Sequence, residues 1–230
     1  PQNPKTPVKW MVIILFIYFS PSFKMDNLKK VLPIRNYQLK HPLFVAFNIH
    51  LTHYNAYGVS HYQRLFDALT HSSGAKLAKN SVYLLPNITN LDTSIEIRGK
   101  SLAKAIDTQL KMIGAEKCHL VAHSFTGIDS RSAISMFGAD KQVQSLTTVS
   151  TPHQGMKLID ITNDKAWRGN LLNLERVFEV LGITGKSVQE FTSHNIGCFN
   201  EVCEDAEGVD YFSIGAKKGG KIMSTILADS

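Results

Sequence analysis

Leu120-Val-Ala122 is a short apolar run that stops at His123-Ser124, and a helical spacing begins at once. Ile128, Ala133, Ile134 and Phe137 then fall on one helix face. No turn cluster separates the two elements, so Ser124 must occupy a very tight strand-to-helix reversal. That is the geometry of a nucleophile elbow, which exposes a serine oxygen above a sheet with a helix N-terminus beneath it. Amides at such a terminus stabilise negative charge developing on a substrate oxygen. The usual pattern is Gly-x-Ser-x-Gly, whereas this chain reads Ala122-His-Ser-Phe-Thr126, with Gly127 next. Alanine is small enough to pass close to the reversal. The branched Thr126 falls where strand and helix approach most closely. The plainer reading is a serine that only caps a helix.

The surrounding chain alternates strands and helices. Strands are expected at Leu43–Phe47, behind the helix-averse His41-Pro42, and at Ser81–Leu85, with Pro86 ending the latter. Others are expected at 142–149 and Val209–Ile214. Ser60 and Gln63 have capping-box spacing for a helix over 60–70, and Thr93 with Glu96 repeats it for a helix running to Ile113. Leu102, Ile106, Leu110 and Ile113 form the buried stripe of that helix, and Gly114 stops it. Arg98, Lys100, Lys104, Asp107 and Lys111 read as its solvated face. Trp167, Leu171, Leu174, Phe178 and Leu181 make a further stripe closed by Gly182, and a shorter helix takes in Val188 and Phe191. This rhythm implies an α/β body over 41–230, a mostly parallel sheet with helices on both faces. Its reactive loops would collect beyond the strand C-termini, at Asn48–Gly58, His123–Phe125 and Ser150–Gly155.

Charge separates the first 40 residues from that body. The 230-residue chain carries a formal charge of +6, which invites a nucleic-acid reading. Residues 1–41, however, hold seven of the 25 basic residues and one of the 19 acids, so the remainder is balanced at 18 of each. Basicity belongs to a leader, and a nucleic-acid partner is disfavoured. Within the leader, Trp10–Phe19 is apolar behind Lys5 and Lys9, short for a membrane span. It reads as a secretory signal or anchor, as a partly buried N-terminal segment, or as sequence ahead of a start at Met25. Localisation follows that choice: secretory or membrane-associated in the first case, intracellular otherwise. Asn87-Ile-Thr89 is a glycosylation acceptor only in a secreted chain. Cys118 belongs to the strand before Ser124 and is expected buried and inert. Cys198 and Cys203, in a polar loop, pair with each other, pair elsewhere or stay free.

A reactive Ser124 needs a base, an acid and oxyanion donors. The Phe125 amide is the first donor by position, and the second should come from Asn48–Leu51, with Asn48 the candidate. His123, on the strand side of the turn, is expected to pack or to make a structural hydrogen bond. His50 and His53 read as pocket-lining or surface groups, since two histidines without a third ligand make a poor metal case. His153, in the rigid turn Thr151-Pro-His-Gln-Gly155, shapes the pocket wall or serves as a base. No metal and no cofactor are called for.

The run His119-Leu-Val-Ala-His-Ser-Phe-Thr-Gly-Ile-Asp-Ser-Arg131, followed by Ser145-Leu-Thr-Thr-Val-Ser-Thr-Pro-His-Gln-Gly155, resembles the bacterial-type triacylglycerol lipases and their eukaryotic relatives, which are α/β-hydrolases. His41-Pro42, Cys198-Phe-Asn200 and Val209–Gly215 extend the resemblance over about 41–216. It implies Ser124 as the acyl-enzyme nucleophile, Phe125 as an oxyanion amide and a cap or lid within 156–182 that meets acyl chains. The partner implied is a lipid or acyl-ester substrate, at a membrane or lipid-droplet surface. Three departures stand out. Phe47-Asn48 occupies the place of the family's His-Gly, and Thr126 that of its second elbow glycine. The family's catalytic aspartate follows the Tyr-x-Ser strand in an Asp-Gly-Leu-Val-like segment, with the histidine later, and neither such a segment nor a histidine lies between Ser213 and Ser230. The expectation is therefore an α/β-hydrolase core lacking its C-terminal part. Asp160 or Asp164 with His194 is the fallback that keeps the order Ser–Asp–His. The leading function is a lipase-like serine hydrolase of acylglycerol esters. The alternatives are another acyl-ester or thioester hydrolase or acyltransferase on the same fold, and a non-catalytic lipid-binding or scaffold protein.

Overall fold

The computed structural model describes residues 11–15, 41–48, 82–87, 92–157, 159–160 and 189–216. Within them lie strands β1 (Met11–Leu15), β2 (Leu43–Asn48), β3 (Val82–Asn87), β4 (Cys118–His123), β5 (Val143–Val149) and β6 (Asp210–Ala216). Helices α1 (Ile95–Ile113), α2 (Thr126–Met136) and α3 (Ser193–Val202) lie between them. The strands form one sheet in the order β1-β6-β5-β4-β2-β3, every described pair parallel. All carboxyl ends therefore share one edge. Part of the apolar leader is the outermost strand, with Met11–Leu15 running alongside Phe212–Ala216. The helix expected at 60–70, the stripe from Trp167 to Leu181, His50, His53 and Asp164 lie outside the described residues.

Apolar alternation positions the core. Phe44 and Ala46 of β2, Leu120 and Ala122 of β4 and Leu146 of β5 meet Leu102, Ile106 and Leu110 of α1 and Ala133 and Ile134 of α2. Gly99 sets how closely the helices cross, since a Cβ there would lie 2.4 Å from the Ser132 hydroxyl. Gly114 ends α1 in the left-handed region at φ 68°, as its place in the sequence implied.

Four expectations need correction. The cap of α1 is Ser94, whose hydroxyl accepts from the Ile97 amide, and not Thr93. Pro86 does not end β3 but lies within it, opposite Phe47, which is tolerated because β3 is an edge strand among the described residues. Cys198 sits on α3, not in a loop; that helix buries only Ile196 fully, and its Thr192 cap accepts from the Asn195 amide. Arg98 is fully buried. It falls three residues after Ile95 and four before Leu102, on the stripe that faces inward.

Two buried arginines fasten α2 to its neighbours. Arg98 Nε donates to Asp129 Oδ1 at 2.9 Å, and Nη1 donates to Glu190 Oε2 at 3.2 Å and to the Thr93 carbonyl. Its guanidinium also lies over the Phe191 ring, 5.4 Å from the centroid. Arg131 Nη1 donates to Asn200 Oδ1 at 2.7 Å and Nη2 to the Cys203 carbonyl at 3.1 Å. Asn200 in turn donates from Nδ2 to the His153 carbonyl at 2.9 Å. The segments that carry the sequence resemblance, Ser130-Arg131, Thr151–Gly155 and Cys198–Asn200, are thus joined by one set of hydrogen bonds. The three cysteines are free thiols. Cys118 and Cys203 are buried, and burial pushes the Cys118 thiol up to about 12.

Removing one member of a buried ion pair strands the other. Arg98→Met is expected to cost about 3–5 kcal/mol in chemical denaturation, and Arg98→Met with Asp129→Leu should recover a large part of it. A second expectation concerns acid. Burial, with a contribution from Arg131, lowers the His153 imidazole from 6.5 to about 4. The unfolded chain therefore takes up this proton at higher pH than the folded one, so the contribution of His153 to stability is lost as pH falls from about 6.5 towards 4. Urea titrations across that window should show a shallower acid loss for His153→Gln than for the parent.

Candidate active site

β2 is flanked by β3 on one side and β4 on the other, so successive connections diverge between β2 and β4. A crevice opens beyond the carboxyl ends at such a switch point. Ala46 is level with Ala122, and continuing that register brings Asn48 level with Ser124. The two elements expected to supply oxyanion amides therefore end side by side.

Ser124 sits between β4 and α2 at φ 55°, one of two described non-glycine residues with positive φ. Its amide extends the β4–β5 ladder by donating to the Val149 carbonyl at 2.9 Å. Its own carbonyl accepts from the Gly127 amide at 3.0 Å and the Thr151 hydroxyl at 2.9 Å. The chain thus turns from strand to helix within Ser124-Phe125, leaving the serine half-buried at the sheet edge. The Phe125 ring is buried and stacks on Phe191 at 3.9 Å between centroids, while its amide meets no acceptor among the described residues. The positive end of α2 and an available N–H lie next to the serine.

The glycine that close packing demands is Gly127. A Cβ there would fall 2.2 Å from Thr151 Oγ1 and 2.7 Å from its Cγ2. Thr126, in the place of the usual glycine, is fully buried, and its hydroxyl has no hydrogen-bond partner among the described residues. The other positive-φ serine, Ser150 at φ 50°, ends β5 beside Ser124 and donates its amide to the Ile214 carbonyl at 2.8 Å. The sequence places Thr151 in one of the reactive loops and Gly127 just past the elbow, without showing that the two pack together.

His123 is half-buried on β4, paired with Val149. His153 Nε2 lies 2.9 Å from Thr148 Oγ1, and with its pKa near 4 the ring is neutral at pH 7. Its carbonyl and imidazole both join the wall made by β5 and α3. Asp160 Oδ1 accepts from the Ser193 amide at 2.9 Å, and exposed His194 has Nε2 4.0 Å from Cys198 Sγ. No hydrogen bond or ion pair joins Asp160 or His194 to each other or to Ser124 among the described residues. Nor do the described residues hold a group of three His, Cys, Asp or Glu side chains able to bind a metal ion, or a helix long and apolar enough to cross a membrane.

No protein-family model matches the chain. It is 32% identical over 127 residues to triacylglycerol lipase 2 of Saccharomyces cerevisiae, across 53% of this chain and 37% of the yeast protein. It is 36% identical over 67 residues to triacylglycerol lipases of Pseudarthrobacter phenanthrenivorans and Burkholderia plantarii, across 29% of this chain and 20% and 18% of theirs. The matches thus span well under half the length of these relatives. Among solved structures, mature Bacillus licheniformis lipase BlEst2 aligns with a TM-score of 0.58 at 21% identity, over 84% of this chain and 72% of that one. Phospholipase PlaB from Legionella pneumophila aligns at 0.54 and 18%, over 77% and 39%. At such identities the structures speak to the fold, and the sequence matches to the kinship. Over the region it shares with them, the chain is a relative of the triacylglycerol lipases built on the α/β-hydrolase fold.

Proposed function

We propose that this protein is a lipase-like serine hydrolase that cleaves carboxylic esters of acylglycerols through an acyl-enzyme on Ser124. The observation that carries the reading is the backbone of Ser124: a serine at φ 55°, between a central parallel strand and the N-terminus of a buried helix. Strained backbone of this kind persists where the surroundings over-determine it, and it clusters at reactive sites. In this reading a histidine base takes the hydroxyl proton as Oγ attacks the ester carbonyl carbon. The Phe125 amide, with that of Asn48, holds the tetrahedral oxyanion. Collapse expels the alcohol, which receives the proton from the histidine, and water then releases the acid by the same steps in mirror order. His123 and His153 support the wall and do not shuttle protons.

Residues 156–182 are the proposed cap. Met156 donates its amide to the Phe191 carbonyl at 2.8 Å, and Ser193 donates to Asp160, so the chain departs and returns at one place. That place adjoins Phe125, through the stacked Phe191 ring. A cap there suits long acyl chains presented at a membrane or lipid-droplet surface.

Full-length protein treated with a fluorophosphonate probe is expected to label at Ser124. Ser124→Ala should abolish labelling and lower ester turnover by about 10³-fold or more. Absence of labelling, together with lipid binding that Ser124→Ala leaves intact, would favour the non-catalytic lipid-binding alternative.

A further inference from the structure

The Ser124–Phe125 peptide is a rigid trans plane whose C=O and N–H point in opposite directions. Whatever fixes the carbonyl therefore aims the amide. Two donors fix this carbonyl, the Gly127 amide and the Thr151 hydroxyl. Gly127 belongs to the turn itself, whereas Thr151 reaches in from the end of β5, 27 residues away. We propose that Thr151 is a positioning residue whose hydroxyl, acting through the Ser124–Phe125 peptide plane, aims the Phe125 amide at the substrate oxyanion. This rests on the reading of Ser124 as an acyl-enzyme nucleophile.

Three observations converge on it. The side chain of Thr151 packs against Gly127 in the space that a Cβ there would need, so the absence of a side chain at 127 is what lets its hydroxyl reach the Ser124 carbonyl. Its backbone is set from both sides, by Ser150 at φ 50°, anchored to Ile214, and by Pro152. The Phe125 amide donates to no acceptor among the described residues and remains available to a ligand. A hydrogen bond accepted by the carbonyl also polarises the peptide and strengthens its N–H as a donor. The interaction matters most when charge sits on the substrate oxygen, so its loss should appear in kcat more than in KM.

Thr151→Val removes the hydroxyl and keeps the shape, while Thr151→Ser keeps the hydroxyl. In the full-length protein acting on p-nitrophenyl butyrate, the valine variant should lose about 10-fold in kcat, with KM within about twofold. The serine variant should stay close to the parent. In parallel, the ¹⁵N resonance of the Phe125 amide should shift in the valine variant and not in the serine one. Turnover by Thr151→Val equal to the parent overturns the proposal and leaves the hydrolase reading standing. If the parent itself shows no Ser124-dependent turnover, the hydrolase reading fails and the Phe125 resonance decides. An unmoved resonance overturns the brace, and a moved one supports it. Should the valine variant not fold, Thr151→Ala takes its place under the same criteria.

Discussion

A serine backbone held at positive φ is the constraint from which the carboxyl edge of this sheet is built. A non-glycine residue in that region costs on the order of 1–3 kcal/mol and persists only where its surroundings over-determine it. Here the amide of Ser124 is committed to β5 and its carbonyl to Gly127 and Thr151. Strand, turn and neighbouring loop each fix one part of the same residue. Relaxing φ towards the helical region would give up the last rung of the β4–β5 ladder, the first hydrogen bond of the turn, or both. The strain is held by contacts that also terminate a strand and start a helix.

Behind the elbow, α2 is packed on several sides at once, and its buried face includes Asp129, Ser130, Arg131 and Ser132. Burying charges brings little net stability, because desolvation offsets most of the attraction. It brings geometry instead. A guanidinium that must satisfy Asp129, Glu190 and the Thr93 carbonyl admits few placements of the segments that carry them. Arg131 does the same on the other side, binding Asn200 and the Cys203 carbonyl. The helix carrying the elbow is thereby located against α1 on one side and α3 on the other, independently of apolar packing.

What could be read from sequence was local. The run Leu120–Ala122 followed at once by helical spacing predicted strand, reversal and helix, and Leu102, Ile106 and Leu110 predicted the buried face of α1. The residues that escaped depend on partners far along the chain. Arg98 reads as a surface charge until Asp129 and Glu190, 31 and 92 residues away, are brought to it. Thr151 bonds to a backbone carbonyl, an interaction no side-chain pattern encodes. The helix around Cys198 went unseen because it hides little besides Ile196 and carries Gly197 within it. Pro86 misled because its tolerance depends on the place of β3 at the rim of the sheet, a property of topology and not of the residue. A base and an acid for the proposed nucleophile were not legible either, and no hydrogen bond or ion pair among the described residues joins such a side chain to Ser124.

The buried hydroxyl of Thr126 carries a consequence for engineering. A buried hydroxyl left without a partner costs about 1–3 kcal/mol, and that of Thr126, at the first position of α2, meets none among the described residues. The chain tolerates a local deficit at the point where relatives of the elbow pattern use a residue without a side chain. Position 126 is therefore a reserve of stability that has not been drawn on. A variant library seeking a more heat-tolerant form would find room there, whereas Gly127, one residue on, leaves no space for even a methyl group. Adjacent residues of one turn thus differ in evolvability, one open to change and the other packed against Thr151.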